Sequence, residues 1–260
     1  MSTFTNPLKQ RLKEPDPLFG LWLSLGSDTA AEALAHAGFD WLLIDMEHSP
    51  NDSVDVTAQL RAIAAAHLPT EPVVRLPAAE PWLVKRALDA GARTLMFPNI
   101  ESAEEAAHVV RLTQYPTAAA VDGLRGVAGA VRAAAYGMRR DYVQNANDQI
   151  ATIVQIESAR ALEEIEPIAA TPGVDCLFIG PADLAASLGH LGDPKHPEVT
   201  DAIARVVEVA HRARLATGIF AMDVASARQY RAEGFRFIAL AADVMWMLRA
   251  TRQALQEVRS

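Results

Sequence analysis

The sequence predicts an α/β protein, a closed (β/α)8 or TIM barrel of eight parallel strands alternating with helices. Three observations carry this. Eight short apolar runs alternate with amphipathic helical stretches. The chain has 260 residues, 50% of them hydrophobic, matching the ~250 residues such barrels need for one large core. A doubly wound open sheet is the competitor. It usually has a Gly-rich phosphate turn after its first strand, and Leu25-Gly26-Ser27-Asp28 holds one glycine there. Residues 1–260 are read as a single barrel domain.

The elements follow in order. Residues 19–25 form the first strand. The helix over 28–37 is capped by Ser27 or Asp28 and stopped by Gly38. Strands are expected over 39–45 and 71–76, with a helix over 55–66 between them. Pro81 opens a helix that Gly91 closes. A strand over 93–97 leads to a helix over 102–113, with Glu104 and Glu105 in its first turn. Residues 114–149 are too long for an ordinary connection and read as a lid or interface segment, with short helices near 131–136 and 141–147. Strand 151–157, helix 159–170, strand 174–179 and helix 182–188 come next. A loop and the helix 199–214 precede strands 216–221 and 235–240, which flank a helix over 225–232. The last segment, 244–258, is apolar over much of its circumference. A helix of that kind is usually buried on more than one side, so it is expected to pack against a second subunit or deep in a groove of its own barrel.

The net charge of −8 argues against nucleic-acid or anionic-membrane partners. No apolar run reaches the ~20 residues of a membrane span, and residues 1–17 lack a signal-peptide core. Cys176 is the only cysteine, so no intrachain disulfide or thiolate zinc cluster forms. A cytoplasmic enzyme is the expectation.

Chemistry in such barrels sits where strands end. Asp45, Glu47 and His48 follow the second strand, Arg75 ends the third, Glu157 ends the fifth, and Asp183 follows the sixth. Glu157 and Asp183 offer two hard oxygen ligands suited to Mg2+ or Mn2+; the alternative is a pair of acids hydrogen-bonded to helix N-termini. His48, the one histidine just after a strand, reads as a general base that Asp45 or Glu47 orients, or else as a surface histidine. Arg75, in an apolar strand, needs an anion: a substrate or enolate oxygen, or Asp45 or Glu47. The turn Gly180-Pro181-Ala182-Asp183 opens a helix whose N–H groups suit a substrate carboxylate. These parts fit formation of an enolate from a 2-oxo acid, followed by attack on an aldehyde or formed by the reverse cleavage.

Asp40-Trp-Leu-Leu-Ile-Asp45-Met-Glu47-His48, Val73-Val-Arg75, Val154-Gln155-Ile-Glu157 and Phe178-Ile-Gly-Pro-Ala-Asp183-Leu resemble the HpcH/HpaI aldolase family, nearest its metal-dependent branch acting on 4-hydroxy-2-oxo acids. The resemblance implies a class II aldolase using pyruvate or hydroxypyruvate and a divalent cation: Mg2+, Mn2+ or Co2+. It implies Glu157 and Asp183 as metal ligands, His48 as proton acceptor, Arg75 as transition-state stabiliser, and Gln155 and Ala182 as substrate contacts. It also implies that Asp89 raises the basicity of the histidine, in homohexamers that exchange the last helix; because Asp89 falls late in the helix after the third strand, away from the rim, it should act on the site of a neighbouring subunit. A related acyl-CoA lyase or oxo-acid hydrolase, and a non-catalytic barrel, are the alternatives.

Overall fold

A computed structural model describes residues 4–260, so part of the stretch 1–17 lies outside the described residues. Eight strands pair in parallel and in sequence order: β1 (Leu18–Leu23), β2 (Trp41–Asp45), β3 (Glu71–Arg75), β4 (Thr94–Phe97), β5 (Ala151–Ile156), β6 (Cys176–Ile179), β7 (Ala216–Ala221) and β8 (Phe237–Ala242), the last closing on β1. This is the expected TIM barrel. Helices α1 (Pro7–Arg11), α2 (Asp28–Ala35), α3 (Ser53–Ala65), α4 (Pro81–Ala90), α5 (Ala103–Thr113) and α6 (Tyr142–Gln149) belong to the first half. Helices α7 (Ala159–Glu163), α8 (Ile165–Ala169), α9 (Pro181–Ser187), α10 (Pro197–Ala213), α11 (Val224–Ala232) and α12 (Asp243–Arg259) follow.

Three local expectations change. The helix over 159–170 is two short helices that meet at Glu164 (φ −99, ψ 14). Pro167, lacking an N–H, cannot donate to the Glu163 carbonyl, so the ladder breaks there. The short helix expected near 131–136 is a 3-10 segment, Arg132–Gly137, interrupted by left-handed Ala135 and Tyr136. Helix α1 was not expected. Its Leu8 and the following Leu12 are fully buried and plug the barrel's N-terminal end against Leu18, Trp41 and Phe237.

Strand periodicity decides what faces inward. Trp41 and Leu43, Val73, Ile153, Cys176 and Phe178, and Phe237 and Ala239 fill the barrel, whereas Leu42, Ile44, Val74, Val154 and Leu177 pack under the helices. Trp41 stacks on Phe237 with centroids 4.0 Å apart. Gly20 makes room for it, because a Cβ there would lie 2.0 Å from the Trp41 ring. Two residues above the inward Leu43, Val73 and Ile153, the same period brings Asp45, Arg75 and Gln155 inward at the C-terminal rim. With the base plugged by apolar side chains, the open chemistry lies at that rim.

Only Asp243 of α12 is buried. Val244, Met245 and Trp246 pack on the barrel, while Met247, Leu248, Leu255 and Val258 are exposed. Of the two expectations for this segment, a deep groove in its own barrel is not what forms.

Candidate active site

The register pairs Asp45 with Arg75 across β2 and β3. The Arg75 guanidinium donates from Nε and Nη2 to the two Asp45 oxygens at 2.8 Å each. Its Nη1 lies 2.7 Å from Glu47 Oε2 as an ion pair, off the line of a hydrogen bond. It also sits 5.3 Å from the Trp22 ring centroid. Three of its five N–H groups therefore face acids, which leaves donors for a ligand in the cavity it lines.

Asp45 also accepts from the Glu47 N–H at 3.0 Å and from Ser49 Oγ at 3.2 Å. Burial pushes its carboxyl up, but Arg75 and these donors outweigh that and hold it below the usual range. The expectation that Asp45 orients His48 needs correction: its oxygens are committed to Arg75, Glu47 and Ser49. The acid beside His48 is Glu47, whose Oε1 is 3.9 Å from Nε2. His48 itself projects into the cavity mouth with its side chain 69% exposed.

Glu157 is buried. Its Oε1 accepts from the Asn99 N–H at 2.8 Å and its Oε2 from Gln155 Nε2 at 2.9 Å. Burial raises its carboxyl to about 7, against the Asn99 hydrogen bond and with help from the charges of Glu47 and Asp183. Burial raises Glu47 as well, against the pull of Arg75. Gly180 is required here, because a Cβ would lie 2.6 Å from Glu157 Oε2 and 3.7 Å from Asp183 Oδ2. Those two oxygens thus border one small volume. Asp45 and Glu47 pair with the Arg75 guanidinium, Glu157 and Asp183 add two further acids at the same rim, and Gln155 Oε1 is buried without a partner. Two hard oxygen donors, surplus negative charge and an unpartnered acceptor fit a divalent cation with open positions.

Helix α9 opens at Pro181 with no side-chain cap on its first N–H groups, and Gly180, Pro181, Ala182 and Asp183 line the cavity. Its volume is ≈ 410 Å³. Trp22, Phe178, Phe220 and Met222 form an apolar wall that sequence reading missed. Trp22 and Phe178 occupy inward strand positions just below the rim, so strict period-two counting finds them. Asn99 was missed too; its positive φ of 54 in the turn after Pro98 is a conformation asparagine tolerates.

Asp89 does not join this group. It lies in the last turn of α4, half buried, 3.4 Å from Arg125, and does not line the cavity. The one close cluster of three candidate metal ligands among the described residues lies elsewhere: His190, His196 and Glu198. His190 and His196 stack with centroids 3.5 Å apart and planes 15° apart. The lone pairs of near-parallel rings do not converge on one point, and His190 Nε2 is already 2.8 Å from Glu198 Oε2.

Residues 18–250 match the HpcH/HpaI aldolase/citrate lyase family. The chain is 83% identical over the full length of both chains to the hydroxypyruvate/pyruvate aldolase of Paraburkholderia phytofirmans. It is 44% identical to the 4-hydroxy-2-oxo-heptane-1,7-dioate aldolase of Escherichia coli, covering 94% of this chain and 92% of that one. The crystal structure of a family member from Burkholderia cenocepacia superposes with a TM-score of 0.97 at 72% identity, over 98% of this chain and 100% of the other. The chain belongs to the HpcH/HpaI aldolase/citrate lyase family and is an aldolase.

Proposed function

We propose that this aldolase is divalent-metal-dependent and reversibly adds pyruvate or hydroxypyruvate to an aldehyde, forming and cleaving 4-hydroxy-2-oxo acids. The observation that carries the reading is one cavity lined by His48, Arg75, Gln155 and Asp183, with the buried Glu157 carboxylate reaching it beside Gly180, where its Oε2 and Asp183 Oδ2 border the same small volume. The donor substrates follow the name of the 83% identical relative.

Glu157 and Asp183 would hold the ion. When bound, it supplies Lewis-acid polarisation of the 2-oxo acid's carbonyl, and Mg2+, Mn2+ and Co2+ all suit two carboxylates. The N–H groups of Ala182 and Asp183 and the amide of Gln155 orient the carboxylate end of the substrate. His48 takes the proton from the carbon beside the carbonyl, a role typically worth ~10²–10⁴-fold. The free N–H groups of Arg75 meet the oxygen on which negative charge grows. Asp45 and Glu47 fix that guanidinium before substrate arrives, so little reorganisation is needed in the transition state. The wall of Trp22, Phe178 and Phe220 keeps water from quenching the carbanion.

The exposed apolar face of α12 supports a homo-oligomer, a hexamer by the family resemblance, with this helix exchanged between subunits. Asp89, remote from its own cavity, then acts on a neighbour's His48.

The test is aldol addition and cleavage over a panel of aldehydes with Mg2+, Mn2+ or Co2+. Turnover that EDTA abolishes and metal restores supports the reading. Full activity in EDTA contradicts it.

A further inference from the structure

We propose that Asn51, backed by Gln59, is a positioning residue for proton transfer at His48; this rests on the reading of His48 as the base. His48 rides on the loop between β2 and α3. Its imidazole touches Glu47 at 3.9 Å and is otherwise largely exposed, so its place depends on how the loop is held. The entry to the loop is tied by Met46 N–H to the Arg75 carbonyl at 3.0 Å and by the Glu47 and Ser49 bonds to Asp45. The exit is tied by one side chain. Asn51, buried, donates from Nδ2 to the Asp45 carbonyl at 2.6 Å, with the Leu23 carbonyl at 3.5 Å. One amide thus joins both ends of the loop to the rim ends of β1 and β2.

Gln59, on α3, sets which way that amide faces. Its Nε2 donates to Asn51 Oδ1 at 2.6 Å. This directs the Asn51 oxygen toward α3 and its NH2 toward the strand carbonyls; a flipped amide would set oxygen against oxygen. Gln59 is only 1% exposed and its own Oε1 has no partner. A buried unpaired amide oxygen costs stability, which an apolar residue of similar size would avoid. What Gln59 supplies is the bond to Asn51. Capping α3 does not explain the pair, because Asp52 caps that helix with its own reciprocal box to Asp55. The device is therefore fitted to the loop. A base displaced by ~1 Å loses on the order of 10²-fold in rate.

The test compares Asn51→Ala, Gln59→Met and His48→Ala in the Mn2+-loaded enzyme. Three quantities are read: Mn2+ affinity, pyruvate affinity, and exchange of pyruvate methyl protons in D2O. Asn51→Ala and Gln59→Met should keep both affinities and lose exchange by roughly 10- to 100-fold. The double variant should be no slower than Asn51→Ala alone, because the two residues act as one device. Gln59→Met conserves volume and removes the unpaired oxygen, so it decides the matter if Asn51→Ala does not fold. Near wild-type exchange in Gln59→Met, with His48→Ala inactive, overturns the inference while leaving the base in place. A parallel loss of Mn2+ affinity also overturns it, since the role is then general to the rim. Wild-type exchange in His48→Ala overturns the base and the inference together.

Discussion

Both oxygens of Asp45 accept from the Arg75 guanidinium at 2.8 Å, and both residues are buried. Removing one partner of such a pair leaves an uncompensated charge, typically costing about 3–5 kcal/mol. Asp45→Ala should therefore lower unfolding stability in urea, toward the lower end of that range because Glu47 still faces the guanidinium. Its kcat should fall because Arg75 is no longer aimed, by no more than in Arg75→Ala. A loss far larger than that of Arg75→Ala would instead make Asp45 the base or its partner. Arg75→Lys should keep the charge and lose the fork, lowering kcat by roughly 10²-fold.

The Glu157 carboxyl, pushed up to about 7, makes a prediction for the metal-free enzyme. Its folded-state value lies above its ordinary 4.5. The stability it contributes is fully present below pH 4.5 and is lost as pH rises through about 7. The loss is on the order of 3 kcal/mol. Calorimetry from pH 5 to 8 in EDTA should show Tm falling, with a shallower slope in Glu157→Gln. A divalent ion should reverse the trend, because it binds the ionised carboxylate and stabilises the folded state by mass action.

The plug at the base of the barrel predicts an effect far from the chemistry. Leu8 is fully buried against the barrel interior. Leu8→Ala should cost about 2–5 kcal/mol, read from urea denaturation, with KM unchanged.

Exposed Leu248 and Leu255 on α12 are expected to be covered by another subunit. Leu248→Asp with Leu255→Asp should convert the oligomer to smaller species in light scattering. If Asp89 acts across that assembly, kcat should fall with it. An unchanged mass would place the interface elsewhere.

The barrel was legible because its signals are local and repeated: apolar runs, caps, and the glycines that close helices. The rim residues Asp45, Arg75 and Glu157 were legible for the same reason, since a charge at the end of an apolar strand has few places to point. What a charge pairs with was legible only as alternatives, Asp45 and Glu47 being among the anions expected for Arg75. That Asp45 belongs to Arg75 rather than His48 is a matter of inward period and register between β2 and β3, which sequence spacing alone does not resolve. The plug was missed because Leu8 and Leu12 sit in a polar stretch, where an i, i+4 pair is a faint helical signal. The break at Glu164 was missed although Pro167 was in plain view. Asn51 and Gln59 look like ordinary surface polar residues until the fold buries them together.

The most direct measurement is Mn2+ binding followed by electron paramagnetic resonance in wild type, Glu157→Gln, Asp183→Asn and His190→Ala. One ion per chain in wild type and His190→Ala, lost in both carboxylate variants, is the predicted result. Mn2+ bound as tightly in Glu157→Gln and Asp183→Asn as in wild type would contradict the account.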